Sequence, residues 1–288
     1  MAYENFIYAV WKKGIEKELE KKHVFVDGCT REYEGEIKKR GDKVRIKTLG
    51  DITIHKLART AVNNDIADAE QLEDGMLEIT VDQIAYFNVS ISNIDAVQAD
   101  ENLFAEFSGK AAEGFADDED KFVANFANDT SIATANNVLD AVAKLTPDNV
   151  LDVILNATQR LYENNVKETT YIEAIVPPAF KSVATKAKIL TDTNNSATLK
   201  NGRVGQINNV YIKMSNNVAK SSDSSKYMIM VRTKDACAFV EQITKIIPYS
   251  PEKKLDTDAL KGYVVYGGKV LRPKQIVVVP IAAFGLTA

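Results

Sequence analysis

The first 22 residues carry a helical pattern of apolar positions. Phe6, Ile7, Val10 and Trp11 recur at three- and four-residue spacing, and Ile15 and Leu19 continue that face, while Lys12, Lys13, Glu16, Lys17, Glu20 and Lys21 fill the other. The spacing predicts an amphipathic arm that packs on its own domain or on a neighbouring subunit. From Val24 to Ile54 the period changes to two. Glu36-Ile37-Lys38 and Lys43-Val44-Arg45-Ile46-Lys47 alternate polar and apolar residues, and Gly41-Asp42 supplies a turn between them. Few apolar residues lie on either arm of this predicted hairpin. A two-stranded hairpin is marginal alone, so it must lie against another surface. Ala58 to Gly75 is polar and reads as loop. Leu77, Ile79 and Val81, then Ile84, Tyr86, Val89 and Ile91, predict a long strand whose alternation slips once near Gln83, the mark of a bulge or bend.

A helix follows, with Ser92 or Asn93 as its cap and Asp95 in its first turn. Val97, Phe104, Phe107, Ala111, Phe115, Phe122 and Phe126 form its apolar stripe, which predicts a rod of roughly 50 Å at 1.5 Å per residue. Gly109 and Gly114 each weaken it by about 1 kcal/mol relative to Ala, and mark a bend or a close contact. Such a rod beside a long hairpin suits a plate better than a compact enzyme. Beyond Asn136 the pattern is mixed. It predicts helices over Asn137–Lys144, Pro147–Asn164 (capped by Thr146) and Phe180–Leu190. Strands are predicted over Tyr171–Val176, Asn208–Met214, Tyr227–Arg232, Phe239–Tyr249, Tyr263–Tyr266 and Gln275–Ile281. The sequence holds no internal repeat of 20–50 residues.

The chain has 288 residues, room for one large domain or two ordinary ones. A net charge of -4 leaves no chain-wide basic field, so contact with DNA is expected to be weak and nonspecific. Cys29 and Cys237 are too few for a disulfide framework and are expected as reduced, buried thiols. The N-terminus lacks a signal-peptide core, and no stretch approaches about 20 apolar residues, so no membrane partner is expected.

Catalytic chemistry finds little support. The two histidines, His23 and His55, stand without a nucleophile motif such as G-x-S-x-G. The run Asp117-Asp118-Glu119-Asp120 lacks the alternating spacing of a calcium loop and reads as a solvated helix face. Gly202, Gly205, Gly267 and Gly268 do not form a phosphate loop and read as tight turns. No catalytic, cofactor or metal residues are assigned.

Four stretches, in order, resemble one family. They are Arg31–Ile37 with Gly41–Ile46; Ile79–Gln83 with Tyr86–Val89 and Asp95–Gln98; Leu199–Gly205 with Val210-Tyr211 and Ser215–Asn217; and Phe239–Lys245 with Pro251–Lys253, Lys261-Gly262 and Tyr266–Val270. Their order and spacing over nearly the whole chain are similar to the major capsid proteins of tailed bacteriophages with the Hong Kong 97-like fold, in the coat-protein branch typified by phage P-twenty-two. The resemblance implies an α+β fold with an N-terminal arm (1–27), an extended β-hairpin loop (28–66), a peripheral domain with a long spine helix (67–128 and 237–258) and an axial α/β domain (129–236 and 259–288).

The resemblance further implies a non-enzymatic coat protein that assembles with itself as hexamers and pentamers into an icosahedral shell around double-stranded DNA. It would form in the host cytoplasm and reside in the virion, with a portal protein as a further partner. The arm begins at Met1 without a long extension, so a separate scaffolding protein is expected, and the chain is too short for the inserted domain of some relatives. A nanocompartment shell of the encapsulin type and an α/β enzyme with an unrecognised site are the competing readings. Because the family lays its hairpin across an adjacent subunit, Lys38, Lys39, Arg40, Lys43, Arg45 and Lys47 are expected to clasp a neighbour electrostatically. Asp117, Asp118, Glu119 and Asp120 are the candidate partners.

Overall fold

The computed structural model describes residues 23–33, 43–49, 74–92, 102–187, 203–207, 209–249 and 257–285. The expected arm over 1–22, residues 36–38 of the expected hairpin and the expected helix cap at Asn93 lie outside them. Among the described residues three sheets carry the fold. β1 (Lys43–Leu49) and β2 (Asp74–Thr80) form an antiparallel ladder in which Arg45 faces Glu78 and Ile46 faces Leu77. The pairing given to Lys43–Leu49 is therefore with the far strand, across residues 50–73. β3 (Gln83–Ser92), β8 (Cys237–Tyr249) and β9 (Thr257–Val270) form a second sheet in the order β3-β9-β8. The expected slip near Gln83 falls at Val81-Asp82, where the chain leaves the ladder and enters this sheet.

The third sheet is mixed, in the order β10-β7-β4-β6-β5. It contains β4 (Ile172–Val176), β5 (Arg203–Ile207), β6 (Val210–Met214), β7 (Tyr227–Thr233) and β10 (Ile276–Ile281). β4 and β6 are parallel and every other pair is antiparallel. α1 (Asn102–Ala124) is the described part of the expected long helix, about 35 Å long at 1.5 Å per residue, and continues into a 3₁₀ turn over Asn125–Asn128. Phe126, expected on the helix, sits in that turn. α2 (Thr130–Thr134) is short, α3 (Val150–Glu163) packs on the mixed sheet, and α4 (Pro178–Lys186) follows β4.

The cores follow from spacing. On α1, Ala112, Phe115, Ala116, Val123 and Ala124 are buried, and they meet Phe239, Val264 and Tyr266 of the second sheet. Phe115 packs on Phe87 of β3 with ring centroids 5.6 Å apart. On α3, Val150, Ile154, Ala157 and Leu161 share one helical face, buried with Phe180, Ile172, Ile212, Val231 and Val279. A satellite cluster of Ile79, Val81, Val240 and Val265, with Ile46 against it, seats the ladder on the second sheet.

Three expectations are corrected. Residues 137–145 are not helical. They run extended beside β10, with bridges at Val138–Val278, Val142–Ile281 and Leu145–Phe284. The three- and four-residue spacing of their apolar side chains imitates a helix, but the backbone bonds go to the sheet: Leu139 N donates to Val278 O and Val142 N to Pro280 O. Second, α3 starts at Val150 rather than Pro147. Thr146 contributes its carbonyl, which accepts from Val150 N at 3.1 Å, rather than a capping hydroxyl. Third, Gly267 and Gly268 lie within β9 opposite Val240 and Phe239, and Gly205 lies at an irregularity of β5, so none is a tight turn. β9 runs unbroken from Thr257 to Val270.

Candidate functional site

Residues 23–33 form a tether between α1 and the mixed sheet. A 3₁₀ turn at Val26–Gly28 aims successive N–H groups at α1. There the Asp120 carboxylate accepts from Val24 N (3.0 Å), Phe25 N (2.9 Å) and Val26 N (3.1 Å). His23 Nε2 lies 2.7 Å from Glu119 Oε2, and both side chains are buried. Burial holds the imidazole below its ordinary pKa despite the carboxylates of Asp120, Glu241 and Asp27, with Arg31 adding to the lowering. A neutral ring donating Nε2–H to Glu119 fits both observations. Burial pushes the Asp120 carboxyl up, against the pull of its three N–H donors.

The tether's other face meets three strands of the mixed sheet. Glu173 on β4, Lys213 on β6 and Arg232 on β7 form a row on neighbouring strands, each almost wholly removed from solvent. Arg232 Nε lies 3.0 Å from Glu173 Oε1, and Lys213 Nζ lies 2.8 Å from Glu173 Oε2 and 2.9 Å from Asp27 Oδ2. Arg232 also donates to Phe25 O and, at 3.3 Å, to Cys29 Sγ. With Asp27 counted, two cations face two carboxylates, so the cluster as a whole is neutral. Burial opposes the Lys213 charge, but Glu173 and Asp27 more than offset it and hold the ammonium above its ordinary pKa. A Cβ at position 28 would fall 1.7 Å from Glu173 Oε1, so a larger residue in place of Gly28 would displace the carboxylate that pairs with both cations.

The candidate clasp residues are distributed differently from the expectation. Glu119 and Asp120 are buried, not part of a solvated face, and are committed to the tether. They fall at the same helical spacing as Ala112, Phe115, Ala116 and Val123, so the core stripe itself signalled their burial. Asp117 and Asp118 are exposed. Asp117 pairs with Lys121 Nζ at 2.5 Å and accepts from Asn217 at 2.7 Å, which hold its carboxyl below the ordinary range, and Asp118 accepts from Tyr266 OH at 2.6 Å. Arg45 is exposed and lies 3.6 Å from Glu78 across the ladder. Lys43 and Lys47 lie on β1, and Lys38, Lys39 and Arg40 lie outside the described residues. The row Glu173, Lys213 and Arg232 was not anticipated. Its signal is a single charge inside each of three apolar strands, with both signs present.

Among the described residues no group of three or more His, Cys, Asp or Glu side chains is placed to hold a metal, and no helix is long and apolar enough to cross a membrane. Known proteins supply the rest. The sequence model of a family described as phage capsid protein matches residues 76–279, more than half of the chain. The chain belongs to that family. Solved structures share its fold. A structure from Mycobacterium phage Che8 is 24% identical with a TM-score of 0.68, covering 90% of this chain and 91% of its own. The capsid of cyanophage P-SCSP1u is 15% identical with a TM-score of 0.68, covering 91% and 88%. The mature capsid of bacteriophage PhiM1 is 18% identical with a TM-score of 0.61, covering 83% and 82%. No curated protein matches the chain. Family membership makes this a major capsid protein of a tailed phage, a structural component of the virion, with the α+β fold common to such capsids.

Proposed function

We propose that the chain assembles as pentamers and hexamers into a closed icosahedral shell around double-stranded DNA, with a separate scaffolding protein and a portal as partners. The observation that carries this reading is the capsid-family match over 76–279 on a chain whose β1–β2 ladder is a two-stranded sheet of its own. The fold follows the Hong Kong 97-like plan in this reading. α1 is its spine helix and the ladder its extended loop. The second sheet is its peripheral domain, to which β9 belongs through Val270, and the mixed sheet is its axial domain. The chain serves structure rather than catalysis, gathers in the host cytoplasm and contacts DNA weakly. The test is electron microscopy of the full chain co-expressed with its scaffolding protein. Closed shells with five- and six-fold capsomers are expected, and persistent monomers at high concentration would overturn the reading. Shells that enclose protein cargo and never nucleic acid would assign the chain to nanocompartments instead.

The basic segment with Lys38, Lys39, Arg40, Lys43, Arg45 and Lys47 is proposed as an electrostatic clasp on a neighbouring subunit. Of the acidic run, exposed Asp117 and Asp118 remain suited to receive it, in competition with Lys121 and Tyr266.

A further inference from the structure

Cys29 and Cys237 are far apart in sequence and meet in the fold. Thr30 bridges Ala238 in parallel register, with Thr30 N donating to Cys237 O at 2.9 Å and Phe239 N to Thr30 O at 3.1 Å. The residue before each bridge partner is a cysteine, so both thiols leave the same side of the paired backbones. Strands so paired lie about 4.8 Å apart. That spacing falls inside the Cα separation of roughly 4.4–6.8 Å that a disulfide spans. Both cysteines are free and buried. The Arg232 guanidinium lies 3.3 Å from Cys29 Sγ. A cavity of about 310 Å³, lined by His23, Asp27, Cys29, Arg31 and Lys234, reaches Cys29.

We propose that Cys29 and Cys237 are a reactive dithiol, which a small external disulfide oxidises to an intrachain disulfide. The bond would staple the tether to the first residue of β8, where the chain crosses from the mixed sheet to the second sheet. The site is independent of the shell reading. Burial opposes a Cys29 thiolate, but the Cys237 thiol and the Arg232 charge more than offset it and hold Cys29 below an ordinary thiol. Cys237 is raised by the same bond to Cys29 and by burial. Cys29 lines the cavity and has the Arg232 guanidinium beside its sulfur, so Cys29 is the attacking sulfur. Its thiolate attacks one sulfur of the external disulfide and expels a thiolate, leaving a mixed disulfide on Cys29. Cys237 gives its proton to the departing thiolate and attacks Cys29 Sγ, which expels the second thiolate. Two protein thiols are oxidised, and one external disulfide is reduced to two thiols.

The test uses the folded full chain with 2-hydroxyethyl disulfide as oxidant, then N-ethylmaleimide in denaturant, intact mass and non-reducing peptide mapping. Free thiols should fall from two per chain to none, the mass should drop by two hydrogens, and a peptide linking Cys29 to Cys237 should appear. C237S should stop at the mixed disulfide on Cys29, and C29S should give no linked peptide. A wild-type chain that keeps the mixed disulfide, takes maleimide at both positions or links only in urea would overturn the proposal. Linkage between chains in place of the intrachain bond would do the same.

Discussion

Charge buried without a compensating partner is the most costly feature a single residue can introduce here. Glu173 lies between Arg232 and Lys213 and pairs with both, Asp27 supplies the second negative charge, and neither cation reaches bulk water. Breaking a buried pair by removing one partner costs about 3–5 kcal/mol. E173A should therefore lower stability by that order in urea unfolding. Replacing the row as a unit, with E173L, K213M and R232M together, should recover most of the loss, since apolar residues of similar volume replace buried ion pairs well. A triple variant no more stable than E173A would mean that the row does more than neutralise itself. His23 sets a pH dependence. In the unfolded chain it takes a proton near pH 6.5, whereas the fold holds its pKa lower. Between those values the unfolded state binds more protons, so this residue's contribution is present above pH 6.5 and is lost as pH falls through the window. Asp120, raised in the fold, works in the opposite direction. H23Q keeps a donor for Glu119 and cannot titrate. The urea midpoint of the wild type should fall more steeply than that of H23Q between about pH 7.5 and 5.5; parallel curves would remove His23 from the account.

Glycines separate the elements by what surrounds them. Around Gly109 and Gly114 on α1 an added Cβ meets nothing within 4 Å among the described residues. G114A should stabilise the helix by about 0.5–1 kcal/mol, seen as a higher melting temperature. Gly267 on β9 is the opposite case. A Cβ there would lie 2.3 Å from the Thr80 carbonyl oxygen, backbone that cannot swing aside. G267A should push β2 off the second sheet and cost on the order of 1–3 kcal/mol, with faster hydrogen exchange confined to the β1–β2 ladder. Equal and small effects at both positions would break this contrast. The same competition between local preference and tertiary partner explains residues 137–145, whose helical spacing yielded to the open edge of β10.

For the whole molecule, assembly is the property to test, and the charge of the basic segment is the lever. K38E, K39E and R40E together should impair shell formation while circular dichroism of the subunit stays unchanged. Lysines at Asp117 and Asp118 should restore part of it. Each exposed pair contributes only about 0–1 kcal/mol, so the effect must come from repetition over many boundaries and should weaken as salt rises. Normal assembly of the triple variant across a range of salt would end the clasp idea. Failure without rescue would keep the basic segment and move its partner elsewhere.

The sequence by itself determined the strands and helices whose apolar residues keep one period from end to end. β4, β6, β7, β8 and β10, α3 and α4 all stand within a few residues of their expected places, because side-chain alternation and helical faces are properties of adjacent residues. It also determined the family, through short stretches spread in fixed order along the chain. Only the tertiary structure decided where charge goes. Asp120 looks like its exposed neighbour Asp117 in a run of four acids, and becomes buried because three N–H groups about 95 residues away in sequence replace its water. Glu173, Lys213 and Arg232 come from three separate strands, and none could be buried alone. Solvation of a charge depends on partners brought together by the fold, and partners distant in sequence leave no periodic mark for a local reading to find.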